Sequence, residues 1–149
     1  MHEHFNVSEW LVDRHVEAGN GERIAIRSGG ESLTYVEVLG RVEAAAGGLR
    51  ALGVRCEERV AMVMLDSVEF VAMFLGALRI GAVPVPMNPL LPGRDLAVIV
   101  ADSRARVVAI SATREQSLAE LRAGAPEVEI VISSGGGGDD LLGWADFIG

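Results

Sequence analysis

Three short apolar runs, Val60–Leu65, Val83–Val85 and Val107–Ile110, punctuate a chain whose other stretches repeat apolar positions every three or four residues. Runs of that length without polar alternation suit strands buried on both faces, whereas the longer period is that of helices with one buried face. Between the first two runs, Phe70, Val71, Phe74, Leu75 and Leu78 predict a helix. Asp66, with Glu69 three residues on, is expected to cap its start, and Gly81 to take the left-handed turn that ends it. Strand, helix and the extended Val83-Pro84-Val85-Pro86 make a β-α-β unit. All three runs are then expected as parallel neighbours in one sheet.

The same patterning carries the rest. Ser8 is expected to cap a short helix whose Leu11, Val12, His15 and Val16 share a face. Arg23–Arg27 reads as a strand that turns through Ser28-Gly29-Gly30-Glu31. Thr34 with Glu37 is a capping box, opening a helix through Val38, Leu39, Val42, Ala45, Ala46 and Leu49 to Leu52-Gly53. Gly47-Gly48 inside it predicts a close approach by another backbone. Further on come a helix over Arg94–Ala101, a second capping box of Thr113 and Gln116 leading through Leu118 and Leu121 to Gly124, and a strand at Glu129–Ile132. Ser133–Asp140 is expected as a flexible loop and Leu141–Ile148 as a last short helix. Strands alternate with helices, so the expected fold class is α/β, a layered, largely parallel sheet with flanking helices. No linker or repeat divides residues 1–149, which read as one unit.

Composition narrows the function classes. Half the residues are apolar and mean hydropathy is positive, a surplus that points to apolar surface meant for a partner or for a part of the protein outside these residues. A net charge of −8 provides no basic stripe for nucleic acid. All 13 basic residues are arginine, so lysine chemistry is unavailable within the chain. A single cysteine, Cys56, excludes an internal disulfide and fits a reducing cytoplasm, and the N-terminus lacks a signal-peptide pattern. Arg79, Gly81, Pro84 and Pro86 interrupt the apolar stretch 70–87 and argue against a membrane span.

Candidate chemistry is sparse. Gly135–Gly138 is the one run that could cradle a phosphate, but Asp139 and Asp140 follow it where a lysine and a helix should. Cys56 has no histidine near it in sequence, and the pairs Glu57-Glu58 and Asp139-Asp140 lie in polar loops that would not raise a pKa. Asp102-Ser103-Arg104 sits at a helix end, where capping and ion pairing account for it. His2-Glu3-His4 could hold a stray metal ion but is better read as a mobile terminus, and His15 has no second ligand at metal spacing. The residues themselves supply no catalytic, cofactor-binding or metal site.

The order of segments resembles a known family. Leu33-Thr34-Tyr35-Val36-Glu37-Val38, followed by Leu78-Arg79-Ile80-Gly81-Ala82-Val83-Pro84-Val85-Pro86-Met87-Asn88, is similar to the first two core motifs of the adenylate-forming enzymes, and Asp102–Val108 resembles the segment that comes next there. Phe5-Asn6-Val7, Leu11–Val16 and Gly21–Ile26 resemble the start of bacterial benzoate-CoA ligases. The resemblance covers essentially the whole chain but only about the first third of such an enzyme. It implies a parent that uses ATP, Mg2+ and CoA to activate an aromatic acid, with none of these held by the fragment. The family's phosphate loop ending in lysine, its aromatic-Gly-x-Thr-Glu segment, its ribose-binding aspartate and its C-terminal lysine come later, so no catalytic residue carries over. Implied partners are the remainder of the ligase chain or a second copy. A non-catalytic binding module and a ligase for a different acid are the alternatives.

Overall fold

A computed structural model describes residues 5–149, so the expectation for His2 and His4 lies outside the described residues. Two wide-turn helical segments, Glu9–Asp13 and Val16–Asn20, open the chain, and a hairpin follows: β1 (Ile24–Ser28) and β2 (Glu31–Thr34). Then come α1 (Tyr35–Ala51), β3 (Arg59–Val63), α2 (Val68–Arg79), β4 (Val83–Pro86), α3 (Gly93–Ser103) and β5 (Val107–Ile110). A 3-10 turn, Ala112–Ser117, leads into α4 (Leu118–Gly124), β6 (Ile130–Ser133), β7 (Leu142–Gly143) and α5 (Trp144–Ile148). The α/β expectation holds, with five parallel strands in the order β4-β3-β5-β6-β7 and the antiparallel hairpin apart from them.

β3 lies inside the sheet, between β4 and β5, and is apolar on both faces. Val60 and Met62 pack with Leu49, Met73 and Phe147 under α1, α2 and α5, while Ala61 and Val63 pack with Leu96, Val100 and Leu121 under α3 and α4. The period of two thus feeds two cores from one strand. Fully burying side chains of this size is worth about 1.5–3 kcal/mol each. β4 and β5 flank β3 in parallel, as the three apolar runs predict.

The helices differ from expectation in detail. Ser67, not Asp66, caps α2, its hydroxyl accepting from the Phe70 N–H at 3.2 Å. The buried side of α2 is Val68, Ala72, Met73, Leu75, Gly76 and Ala77, with Phe70, Val71, Phe74 and Leu78 only half-buried. Close packing explains the rotation: a side chain at Gly76 would lie 3.0 Å from Ala45, so small residues face α1 and the phenylalanines move to the rim. The Thr34–Glu37 box forms as expected. Thr113 and Gln116 form no box, because the chain there is a 3-10 turn ahead of α4. Ser8 makes no side-chain cap, since it is already in helical conformation; the Asn6 carboxamide accepts from the Ser8 N–H instead. Leu141–Ile148 begins as the two-residue strand β7 before it becomes helix.

Candidate functional site

In an open parallel sheet, ligands bind outside the carboxyl ends of the strands where the chain switches direction. Here that point lies between β3 and β5, since α2 leaves β3 on one face of the sheet and the helices around β5 occupy the other. Serines dominate this edge. Ser111, just past β5, accepts from the Leu65 N–H at 2.9 Å and donates its own N–H to the Val63 carbonyl at 3.1 Å. One strand along, Ser134 accepts from the Ala112 N–H at 3.1 Å and donates its N–H to Ile110 at 2.9 Å. The residue after each strand therefore pins the loop leaving its neighbour. Buried Ser133 donates to the Glu115 carboxylate and accepts from the Gly135 N–H at 3.0 Å.

These serines were the signal missed in sequence. Each follows an apolar strand directly, at Val107–Ile110 and Ile130–Ile132, which is where a strand meets its crevice.

The glycine run is a pinned turn and not the free loop expected. Gly138 and Leu141 exchange backbone hydrogen bonds, and the Trp144 N–H donates to Gly135 at 3.1 Å. The Gly135 amide donates to Ser133 and the Gly138 amide to Leu141, and the exposed Asp139 and Asp140 follow.

The remaining candidates come together although they lie far apart along the chain. Cys56, Glu57, Glu58, Asp102, Ser103 and Arg104 all line one groove of about 800 Å³, at the amino ends of β3, β4 and β5. This groove lies at the opposite end of the sheet from the switch point. Arg106 and Glu58 pair within it. Arg106 donates to Glu129 at 3.0 Å and to Glu58 at 3.5 Å. The Arg55 N–H, then Arg106, holds the Glu58 carboxyl below its ordinary range, and Glu129 first and then Glu58 raise the guanidinium. Both groups stay charged near neutrality, which is unsuited to proton transfer. The carboxyl edge is the better site on position; the Ser133–Glu115 pair there joins a hydroxyl to a carboxylate, but Ser133 is fully buried.

The two sequence motifs do structural work. Leu33 and Val38 are buried, Thr34 caps α1, and Tyr35 stacks on His15 at 4.3 Å, which makes His15 a packing residue. Arg79 makes a two-pronged pair with Asp13 at 2.8 and 2.9 Å. Gly81 has φ +77°, and a side chain there would meet the Cys56 sulfur. Asn88 accepts from the Leu90 N–H at 3.0 Å. Among the described residues, no group of three His, Cys, Asp or Glu is placed to hold a metal ion, and no helix is long and apolar enough to cross a membrane.

The sequence profile described as "AMP-binding enzyme" matches residues 12–145. The chain belongs to the AMP-binding enzyme family. It is 33% identical to the benzoate–CoA ligase of Thauera aromatica over 94% of this chain and 27% of that one. The solved benzoate CoA ligase from Burkholderia xenovorans LB400 superposes with a TM-score of 0.78 at 34% identity, covering 88% of this chain and 26% of that one. The anthranilate CoA ligase AuaEII, solved with anthranoyl-AMP, gives a TM-score of 0.88 at 25% identity over 99% and 28%. The chain spans about a quarter of the length of the curated relatives it matches.

Proposed function

We propose that the chain is the N-terminal portion of the large domain of an AMP-forming aryl-CoA ligase of the benzoate type. The observation that carries this is the 33% identity to the Thauera aromatica ligase across 94% of the chain. In such a reaction the acid's carboxylate oxygen attacks the α-phosphorus of ATP and pyrophosphate leaves. The CoA sulfur then attacks the acyl carbon, and AMP departs with the bonding pair while the thiol proton is released.

The residues present do not fit a triphosphate. The chain has no lysine, the Gly135 and Gly138 amides already have partners, and two carboxylates follow the glycine run. We assign no step to them. Stabilising the charge that develops on a transferring phosphoryl group commonly accounts for several kcal/mol of barrier, hence orders of magnitude in rate. Residues 1–149 alone are therefore expected to be inactive. Their apolar surface is the contact for the remainder of the ligase or for a second copy, and a cytoplasmic location belongs to the same reading.

Benzoate-dependent exchange of labelled pyrophosphate into ATP tests this. The isolated chain should not exceed a no-enzyme blank. A chimera carrying residues 1–149 in place of the matching segment of the Thauera aromatica ligase should exchange. A chimera that folds, by circular dichroism, yet stays silent overturns the placement. Exchange by the isolated chain overturns the inactivity.

A further inference from the structure

Among the described residues, β4 is one of the two outer strands of the parallel sheet, with β3 on one side and no strand on the other. Outer strands normally expose a row of unpaired N–H and C=O groups, a template on which another strand can add. In β4 the two rows are assigned by hydrogen bonding. The Val83 N–H donates inward to Glu58 at 2.8 Å and the Met87 N–H inward to Met62 at 3.0 Å. Backbone groups alternate in direction along a strand, so Val83, Val85 and Met87 face β3, and positions 84 and 86 face outward.

Both outward positions are proline, which has no N–H to offer. The next outward position back, Ala82, donates its N–H to Ala77 at 2.9 Å and so is spent on the end of α2. Three successive outward positions therefore present carbonyls without a single available donor. The proline rings also occupy the space where a neighbouring strand's carbonyls would lie. We infer that the Pro84–Pro86 alternation closes this edge to further strands, from a second copy or from any other chain. The Val83 side chain is exposed beside it, so without the prolines the edge would be apolar as well as open.

The test restores the donors. In Pro84→Val/Pro86→Val, amide exchange is followed by mass spectrometry on dilute and concentrated samples, with circular dichroism confirming the fold. The amides at 84 and 86 should exchange freely when dilute and become protected at least tenfold when concentrated, as β4 strands pair between copies. If the double variant does not fold, Pro86→Val alone restores one donor at the exposed end of the strand, and amide 86 should behave the same way. A folded variant whose restored amides stay unprotected at every concentration overturns the inference, even if it aggregates through another surface.

Discussion

Two adjacent glycines in α1 show how little of a residue's role its identity reveals. Both Gly47 and Gly48 are inside the helix, where glycine costs roughly 1 kcal/mol relative to alanine. A side chain at 47 would meet nothing, whereas one at 48 would lie 2.6 Å from the Phe147 ring and overlap its carbonyl oxygen. The close approach expected of the pair belongs to Gly48 alone, and α5 supplies the backbone. Gly47→Ala should therefore stabilise by about 0.5–1 kcal/mol through helix propensity. Gly48→Ala should destabilise by about 1–3 kcal/mol, as overpacking does. Urea unfolding monitored by circular dichroism separates them, and equal shifts for the two substitutions would contradict the packing described.

At the scale of elements, legibility followed the range of the interaction. The apolar strands, the Thr34–Glu37 box and the Gly29-Gly30 turn, both glycines at positive φ, rest on contacts within a few residues and were readable from the chain. The rotation of α2 and the pairing of β7 depend on neighbours distant in sequence, and so was the gathering of Cys56, Glu57 and Asp102 around one groove. The attachment of the first helical segment to α2 is a long-range case as well. Asn6 donates to the Leu78 and Arg79 carbonyls, and Asp13 pairs with Arg79, with Glu43 at 3.4 Å and Glu9 adding weaker attraction. Hydrogen bonding from Arg79, against partial burial, holds the Asp13 carboxyl below its ordinary value. A depressed carboxyl contributes stability that is complete above the unfolded value, about 3.9, and is lost as pH falls through the lower folded value. Asp13→Asn should cost about 1 kcal/mol at pH 7, since the pair is partly solvated and Glu43 remains. That difference should hold to about pH 5 and shrink below about pH 4. Urea midpoints of both proteins at pH 7, 5 and 3 read it, and a difference independent of pH would rule the ion pair out as its cause.

For the whole molecule, the surplus of apolar residues has a location. Leu96, Ala97 and Val100 point α3 into the core, while Val98 is 67% and Ile99 37% exposed on its outer side. In the opening segment, Phe5 is 68% and Trp10 51% exposed, although the Arg14 guanidinium covers one face of the indole at 3.9 Å. Scattered single exposed apolar residues are ordinary, but adjacent ones on a helix otherwise seated in a core imply a surface that something covers. A chain spanning a quarter of its relatives' length is consistent with such surface being covered by the rest of a ligase. The native chain should then bind a hydrophobic dye or self-associate. Unfolding gives the same sign, so the discriminating substitution must spare stability. Val98→Arg does so, because Asp95 and Asp102 stand three residues before and four after it, in reach of a cation on the same face. Its effect on the urea midpoint should stay within about 0.5 kcal/mol, as for most surface changes. Dye binding and the sedimentation coefficient should both fall. A wild-type chain that sediments as a single monomer and binds no dye would show that this face needs no partner.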